Sequence, residues 1–137
     1  MQDIEKSVGF LLAKAYQRAC AIFKEEFEGY DLTPQQFALL CFLWQRDGLS
    51  QAELSSKSQI DRTTMGGLVD RLEADGLVKR LPHPEDRRAY QICLTDAGKT
   101  LEKELTILSA NVRARFVAPL SDQELQTLLT LLEKLRS

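Results

Sequence analysis

Three consecutive charged residues, Asp86, Arg87 and Arg88, lie in a connection that also contains Pro82 and Pro84. An arginine guanidinium is planar and carries five hydrogen-bond donors, so it pairs well with carboxylates, phosphates and the edge of guanine. Asp86 stands two positions before Arg88, and residues at this spacing in an extended segment lie on one side of the chain. We therefore predict that Asp86 orients Arg88 at an exposed, anion-binding turn. The alternative is an exposed ion pair of little energetic weight.

The segments on either side of this turn alternate between apolar and polar residues, which is typical of β-strands. Residues 82–88 between them are too rich in proline and charge to be strand. The pattern predicts a β-hairpin over residues 78–94 with arginines at its tip, and we call this hairpin the wing. Its alternating apolar positions include Val78, Tyr90, Ile92 and Leu94.

Two helices are predicted immediately before the wing. Ser50 and Glu53 form a capping box that starts the first helix, which should end near Lys57 or Ser58. Asp61 caps the second helix, and Gly76 ends it. One face of this second helix is apolar, with residues at the spacing i, i+3, i+4 and i+7: Met65, Leu68, Val69 and Leu72.

The opposite face of this second helix carries side chains that suit nucleic acid. Counting about 100° per residue places Thr63, Gly67 and Asp70 away from the core. Such a helix fits the major groove of double-stranded DNA, and a basic hairpin beside it reaches the minor groove. A solvated face is the alternative for the helix alone, but the wing that follows favours DNA. The predicted DNA-binding residues are Arg62, Thr63, Thr64, Gly67, Arg71, Arg87 and Arg88, with Asp86 orienting Arg88.

Two adjacent glycines, Gly66 and Gly67, lie in the middle of this helix. Each costs about 1 kcal/mol relative to alanine, so a compensating contact is expected. The missing side chains allow close approach of either DNA or a neighbouring helix, and the sequence leaves both explanations open.

The terminal segments carry more apolar surface than one small lobe can cover. Residues 1–28 predict a long amphipathic helix, and residues 95–137 predict two helices separated by Pro119. The usual way to cover such stripes is a symmetric homodimer. The predicted fold is mainly α with a small β-hairpin: one domain spanning 1–137, in which dimerisation helices at about 1–28 and 95–137 flank a winged helix-turn-helix lobe at about 34–95.

Composition limits the other classes of protein. The 137 residues are 44% hydrophobic and 28% charged, with a net charge of −2 that argues against indiscriminate coating of nucleic acid. No apolar run is long enough for a membrane span, and the first residues do not resemble a secretory signal, so we expect a cytoplasmic protein. Three dispersed cysteines and one histidine make a metal site, a cofactor or enzymatic chemistry unexpected.

A small cationic group on the first helix suggests a site for a small effector. Lys14 and Arg18 are one helical turn apart and near Tyr16, so together they could hold a carboxylate beside an aromatic ring. The alternative is a pair of solvated cations.

These motifs resemble those of the MarR (multiple antibiotic resistance regulator) family along the whole chain. The most specific part is Asp86-Arg87-Arg88 followed by Leu94-Thr95-Asp96-Ala97-Gly98, and residues 68–73 with 76–78 resemble the family's recognition helix and its exit. The resemblance implies an obligate dimer, joined through the first and last two helices, that binds a pseudo-palindromic operator. It also implies release by a small phenolic or aromatic acid.

The chain departs from the family pattern at two places. Many relatives carry a hydroxyl residue and a basic residue where Gly66 and Gly67 stand. The reactive cysteine of the family's hydroperoxide sensors corresponds to Gly9, so peroxide sensing by that mechanism has no support here.

We therefore predict a homodimeric, sequence-specific, double-stranded-DNA-binding transcriptional repressor that is released by a small effector. The alternative is a winged-helix ligand-binding or protein-interaction module that does not read DNA, since fold alone does not fix function. The two glycines and the negative net charge favour this alternative, and the wing arginines oppose it.

Overall fold

A computed structural model describes residues 3–137, and it shows a mainly helical chain with one two-stranded antiparallel hairpin, as predicted. A 3₁₀ turn at Ile4–Lys6 precedes the first helix. The helices are α1 (Val8–Glu26), α2 (Pro34–Gln45), α3 (Gln51–Ser58), α4 (Arg62–Ala74), α5 (Asp96–Thr100), α6 (Glu102–Val117) and α7 (Asp122–Arg136), and the strands are β1 (Val78–Pro82) and β2 (Tyr90–Leu94).

The chain divides into two compact units. The terminal unit contains the described residues up to 28 together with residues 107–137, and the central unit contains residues 29–106. That residues 1–137 fold as one domain, with a winged helix-turn-helix lobe at about 34–95, stays a prediction.

Local capping starts the helices of the central unit. Thr33 and Gln36 form a reciprocal capping box at α2, where Pro34 takes the first helical position, and Ser50 and Glu53 do the same at α3. Helix α2 contributes three buried leucines to the core of this unit. Its buried apolar residues are Leu39, Leu40 and Leu43.

The wing is a short ladder in which Val78 pairs with Leu94 and Pro82 pairs with Tyr90. Pro82 therefore belongs to β1, although the sequence placed it in the connection; as the last residue of the strand it needs no further ladder bond. On the other side of β2, the Ile92 N–H donates to the Leu49 carbonyl at 2.8 Å. This contact ties the wing to the segment that precedes α3.

The segment after the wing packs against the exit of α4. The Thr95 hydroxyl donates to the Gly76 carbonyl at 2.6 Å, and the Thr95 N–H donates to the Leu77 carbonyl at 3.0 Å. A Cβ atom at Gly98 would lie 2.2 Å from that same Leu77 oxygen, so only glycine fits at this position. The Trp44 indole N–H donates to the Gly98 carbonyl at 3.0 Å and fixes the segment from the side of α2.

The ends of the chain differ in two ways from the expected helices. The first helix, predicted over residues 1–28, begins only after Ser7, whose hydroxyl accepts from the Phe10 N–H, and the first two residues of that prediction lie outside the described part of the chain. The segment expected as one helix from Thr95 is interrupted at Leu101, where α5 ends before α6 begins.

Two acidic residues of α1, Glu25 and Glu26, hold the Arg115 guanidinium within the terminal unit, at 2.5 and 2.8 Å.

Helix α7 keeps a leucine-rich face that its own chain does not bury. None of its residues is buried, and Leu131 and Leu135 are 50% and 66% exposed. No helix within residues 3–137 is both long and apolar enough to cross a membrane.

Candidate nucleic-acid interface

Helix α4 presents the face that its periodicity predicts. Met65, Val69 and Leu72 are buried, whereas Thr63 and Gly67 are exposed on the other side. Every residue of α4 predicted to bind DNA is exposed: Arg62, Thr63, Thr64, Gly67 and Arg71. The predicted placement is confirmed, and contact with DNA stays a prediction.

The start of α4 is held by Asp61. Its carboxylate accepts the Thr64 N–H at 2.7 Å and the Thr64 hydroxyl at 3.1 Å. These two hydrogen bonds, the hydroxyl's first, hold the pKa of Asp61 below its ordinary value. Since the Thr64 hydroxyl donates a hydrogen bond to Asp61 in this arrangement, its oxygen lone pairs remain available to a ligand.

Arg71 already has partners in the central unit. Its guanidinium forms ion pairs with Asp31, in the loop before α2, and with Asp75 at 3.6 Å. The hydrogen bond that Arg71 donates to the Asp31 carboxylate is the main reason that the pKa of Arg71 is raised. A DNA contact by Arg71 would have to share or replace these partners.

The two mid-helix glycines differ in their surroundings. A Cβ at Gly66 would lie 3.3 Å from the side-chain amide of Gln51 in α3, which is a tight intramolecular contact. A Cβ at Gly67 would meet no atom within 4 Å. A side chain at Gly66 would therefore press on Gln51 of α3, whereas one at Gly67 would meet no atom of the described chain.

Asp86 organises the tip of the wing through the backbone and not through the Arg88 side chain. Its carboxylate accepts the Arg88 N–H at 2.9 Å, and its carbonyl accepts the Ala89 N–H at 3.1 Å. No Asp86–Arg88 ion pair forms in the described structure. The two side chains would lie on one side of an extended segment, but residues 87 and 88 form a turn, in which the aspartate carboxylate accepts the amide N–H two residues ahead. The expected guanidinium contact is thus replaced by a turn contact.

The fold brings two predicted DNA-binding arginines together. Arg62, the first residue of α4, and Arg88, at the tip of the wing, line one shallow depression of about 210 Å³. Ser50 and Gln51 at the start of α3 and Tyr90 in β2 complete much of its wall. Arg87 is exposed at the same tip.

Sequence reasoning missed Arg80, which contacts α4 directly. The Arg80 guanidinium lies 2.7 Å from the Asp70 carboxylate and 3.1 Å from the Glu73 carboxylate. The available signal was strand alternation, because Arg80 shares the face of β1 that carries the buried Val78.

The three proposed effector-binding residues all lie on α1, but they do not converge. The Lys14 ammonium donates to the Gln17 side chain at 3.2 Å, and the Arg18 guanidinium donates to the Phe116 carbonyl at 2.8 Å. Tyr16 is two residues from each, which on a helix is a rotation of about 200°. A hydrogen bond with Cys20 is the main reason that the Tyr16 pKa is raised.

Neither metal binding nor thiol reactivity is suggested by the cysteines. Over residues 3–137, no group of three or more His, Cys, Asp or Glu side chains is arranged to hold a metal ion. Burial raises the pKa of the Cys41 thiol to about 11, with a smaller contribution from Glu102, and burial also raises the pKa of Cys93.

A capped helix pair, a following hairpin and exposed arginines at the junction define a winged-helix protein. The sequence model of the MarR family matches residues 32–90. The chain is 37% identical to the HTH-type transcriptional repressor NicR of Pseudomonas putida over 97% of this chain and 84% of that protein. The chain belongs to the MarR family.

Solved structures resemble this chain over nearly its whole length. BpsR of Bordetella bronchiseptica, whose DNA binding is regulated by 6-hydroxynicotinic acid, is 30% identical with a TM-score of 0.93, covering 100% of this chain and 98% of that one. A MarR variant from Escherichia coli complexed with operator DNA is 25% identical with a TM-score of 0.89, covering 98% and 99%.

Proposed function

We propose that this protein is a sequence-specific, double-stranded-DNA-binding transcriptional regulator that acts as a repressor. The observation that carries the proposal is the convergence of Arg62, from α4, and Arg88, from the wing, on one exposed depression. A helix and an arginine-bearing hairpin side by side suit adjacent major and minor grooves. The E. coli relative bound to operator DNA and the repressor NicR support the same function.

Within this surface we propose two kinds of contact. Arg62, Thr63 and Thr64 would meet base edges or phosphates from α4, and the open position of Gly67 would let the DNA approach the helix backbone. At the wing, Arg88 would enter the minor groove and Arg87 would pair with phosphate, while Asp86 keeps the turn in shape. Arg71 would contribute only by exchanging its carboxylate partners.

We propose that the protein works as a homodimer joined through its terminal helices. In the terminal unit, large apolar residues of α1 and α7 are exposed, and α7 has no buried residue. A second copy covers such a stripe with the same stripe, and two copies match a pseudo-palindromic operator. We also propose that the protein has no enzymatic activity and that it acts in the cytoplasm, beside the chromosome.

We further propose that a small aromatic acid weakens DNA binding. BpsR, regulated by 6-hydroxynicotinic acid, supports this class of effector. Of the residues predicted for the site, Lys14 has an exposed cation whose recorded contacts, to the Gln17 amide and the Phe10 ring, are both on its own helix. Arg18 and Tyr16 remain proposed contacts, with the Arg18 cation already bonded to backbone carbonyls.

Selection of bound duplexes from random sequence tests the function directly. A repressor of this type yields a pseudo-palindromic sequence bound at two protomers per duplex, with affinity that falls steeply with salt. Failure to enrich any sequence would favour the alternative, a winged-helix module that binds a ligand or protein. Adding 6-hydroxynicotinic acid to the complex, with benzoic acid as a control, tests the effector: lowered affinity in wild type and a smaller effect in Lys14→Gln are expected.

A further inference from the structure

Arg80 of β1 contacts three groups along helix α4. Besides the Asp70 and Glu73 carboxylates, its guanidinium donates to the Gly66 carbonyl at 3.2 Å. The Arg80 backbone N–H donates to Glu73 as well, at 3.0 Å. The Arg80 side chain is only 21% exposed, so these interactions are less screened by water than those of an ordinary surface pair.

Two hydrogen bonds and one ion pair define the position of the guanidinium. Gly66, Asp70 and Glu73 are spaced by four and three residues, so they lie along one stripe of α4. A guanidinium is planar with donors at fixed angles, and its hydrogen bonds to Glu73 and to the Gly66 carbonyl therefore fix its orientation as well as its place. Strand β1 is consequently held against the side of α4, and the rest of the wing pairs with β1.

The same contact changes the charge of the DNA-facing surface. Asp70 lies about 100° around α4 from the buried Val69, at the edge of the exposed face, and its side chain is 70% exposed. An unpaired carboxylate at this place would repel the phosphates of a bound duplex. The Arg80 guanidinium, at 2.7 Å, supplies the compensating positive charge.

We propose that Arg80 is a positioning residue for DNA recognition, which fixes the wing against α4 and offsets part of the negative charge at Asp70 without touching DNA itself. This inference rests on the function proposed above. It separates Arg80 from Arg62 and Arg88, which are proposed to contact the duplex.

Lys79 provides a matched control on the same strand. The Lys79 side chain is exposed and forms no ion pair in the part of the chain that the structure describes. Lys79→Gln and Arg80→Gln each remove one positive charge from β1, but only Arg80→Gln also removes contacts with α4. For a duplex selected with wild type, we expect Arg80→Gln to bind roughly tenfold more weakly. Its salt dependence should equal that of wild type, because no phosphate contact is lost. Lys79→Gln should weaken binding by less.

A double-mutant cycle with Asp70→Asn tests the charge compensation. When Asp70 carries no charge, Arg80→Gln should weaken binding by only about threefold, because the uncompensated carboxylate no longer contributes. If the losses of affinity in Arg80→Gln and Asp70→Asn are additive, and if Arg80→Gln also lowers the salt slope of binding by about 1, the proposal is overturned and Arg80 contacts a phosphate directly. Unchanged affinity of Arg80→Gln would overturn it as well.

Amide hydrogen exchange of the free protein tests the wing contact without DNA. Arg80→Gln should exchange faster than Lys79→Gln in residues 78–82 and 90–94, and equal exchange in the two variants would overturn the positioning role. If Arg80→Gln does not fold, Arg80→Lys replaces it, since a compact ammonium keeps the charge but lacks the planar fork that reaches Glu73 and the Gly66 carbonyl together. Failure of wild type to bind any duplex would overturn the proposed function and the DNA part of this inference, whereas the exchange result would still decide the wing contact.

Discussion

Replacing Gly98 by alanine tests how the end of the wing is fixed to the exit of α4. The new Cβ would lie 2.2 Å from the Leu77 carbonyl oxygen and 3.2 Å from a methyl carbon of Leu94. Gly98 does not have a left-handed backbone, so alanine is acceptable to the local chain. The whole cost must therefore come from the steric clash with the backbone at Leu77.

The size of the effect follows from what must move. Relieving a 2.2 Å contact needs a backbone shift of about 1 Å, and overpacking of this kind costs about 1 to 3 kcal/mol. The shift also strains two hydrogen bonds, from Thr95 to Leu77 and from Trp44 to Gly98, each contributing about 0.5 to 1.5 kcal/mol. The higher helix propensity of alanine returns up to about 1 kcal/mol. We expect a net loss of about 2 to 4 kcal/mol in the free energy of unfolding.

Urea unfolding at one fixed protein concentration, followed by circular dichroism, measures this loss. Gly67→Ala is the matched control, because its Cβ meets no atom within 4 Å and it should be as stable as wild type or up to about 1 kcal/mol more stable. If Gly98→Ala unfolds within about 0.5 kcal/mol of wild type, the backbone at Leu77 yields easily and the reasoning is refuted.

Four further predictions follow from single contacts. Arg88→Ala should lose about 1 to 3 kcal/mol of operator binding. Asp86→Ala should lose less, since it removes only the 2.9 Å hydrogen bond that holds the turn. Affinities of both variants equal to that of wild type, in a gel-shift titration at matched salt, would contradict this. Leu132→Glu, on exposed α7, should give a monomer by light scattering, and an unchanged dimer would exclude this face. Arg18→Ala removes bonds of 2.8 and 3.0 Å to carbonyls at the end of α6 and should lower the free energy of unfolding by about 1 kcal/mol, checked by urea titration against Lys14→Ala. With a pKa of about 11, Cys41 should be roughly one part in a thousand thiolate at pH 8. Iodoacetamide should therefore alkylate it far more slowly than a free thiol, and faster as the pH rises. Alkylation of the Cys41 peptide as fast as that of a free thiol, measured by mass spectrometry, would contradict this.

The sequence by itself determined most helix starts, both strands and the exposed face of α4. Ser50 with Glu53 and Thr33 with Gln36 specify helix starts because the bonding partners are three residues apart and meet whenever a helix begins there. The burial of Met65 and the exposure of Thr63 follow from helical periodicity in the same local way. The resemblance to the MarR family likewise depended on local motifs, and the family relationship is now shown.

Only the tertiary structure decided which charged groups meet. Arg71 pairs with Asp31, Arg80 pairs with Asp70, and Arg18 binds the end of a helix almost a hundred residues away. Each arginine has several candidate partners of the right charge, and the sequence contains nothing that ranks them. The choice depends on which backbone segments the packed core brings within about 3 Å, a distance set by the whole fold. The partner of Asp86 also depended on the folded structure, although it is only two residues away. Because the backbone forms a turn there and not a strand, the Asp86 carboxylate accepts the Arg88 N–H and does not pair with the Arg88 guanidinium.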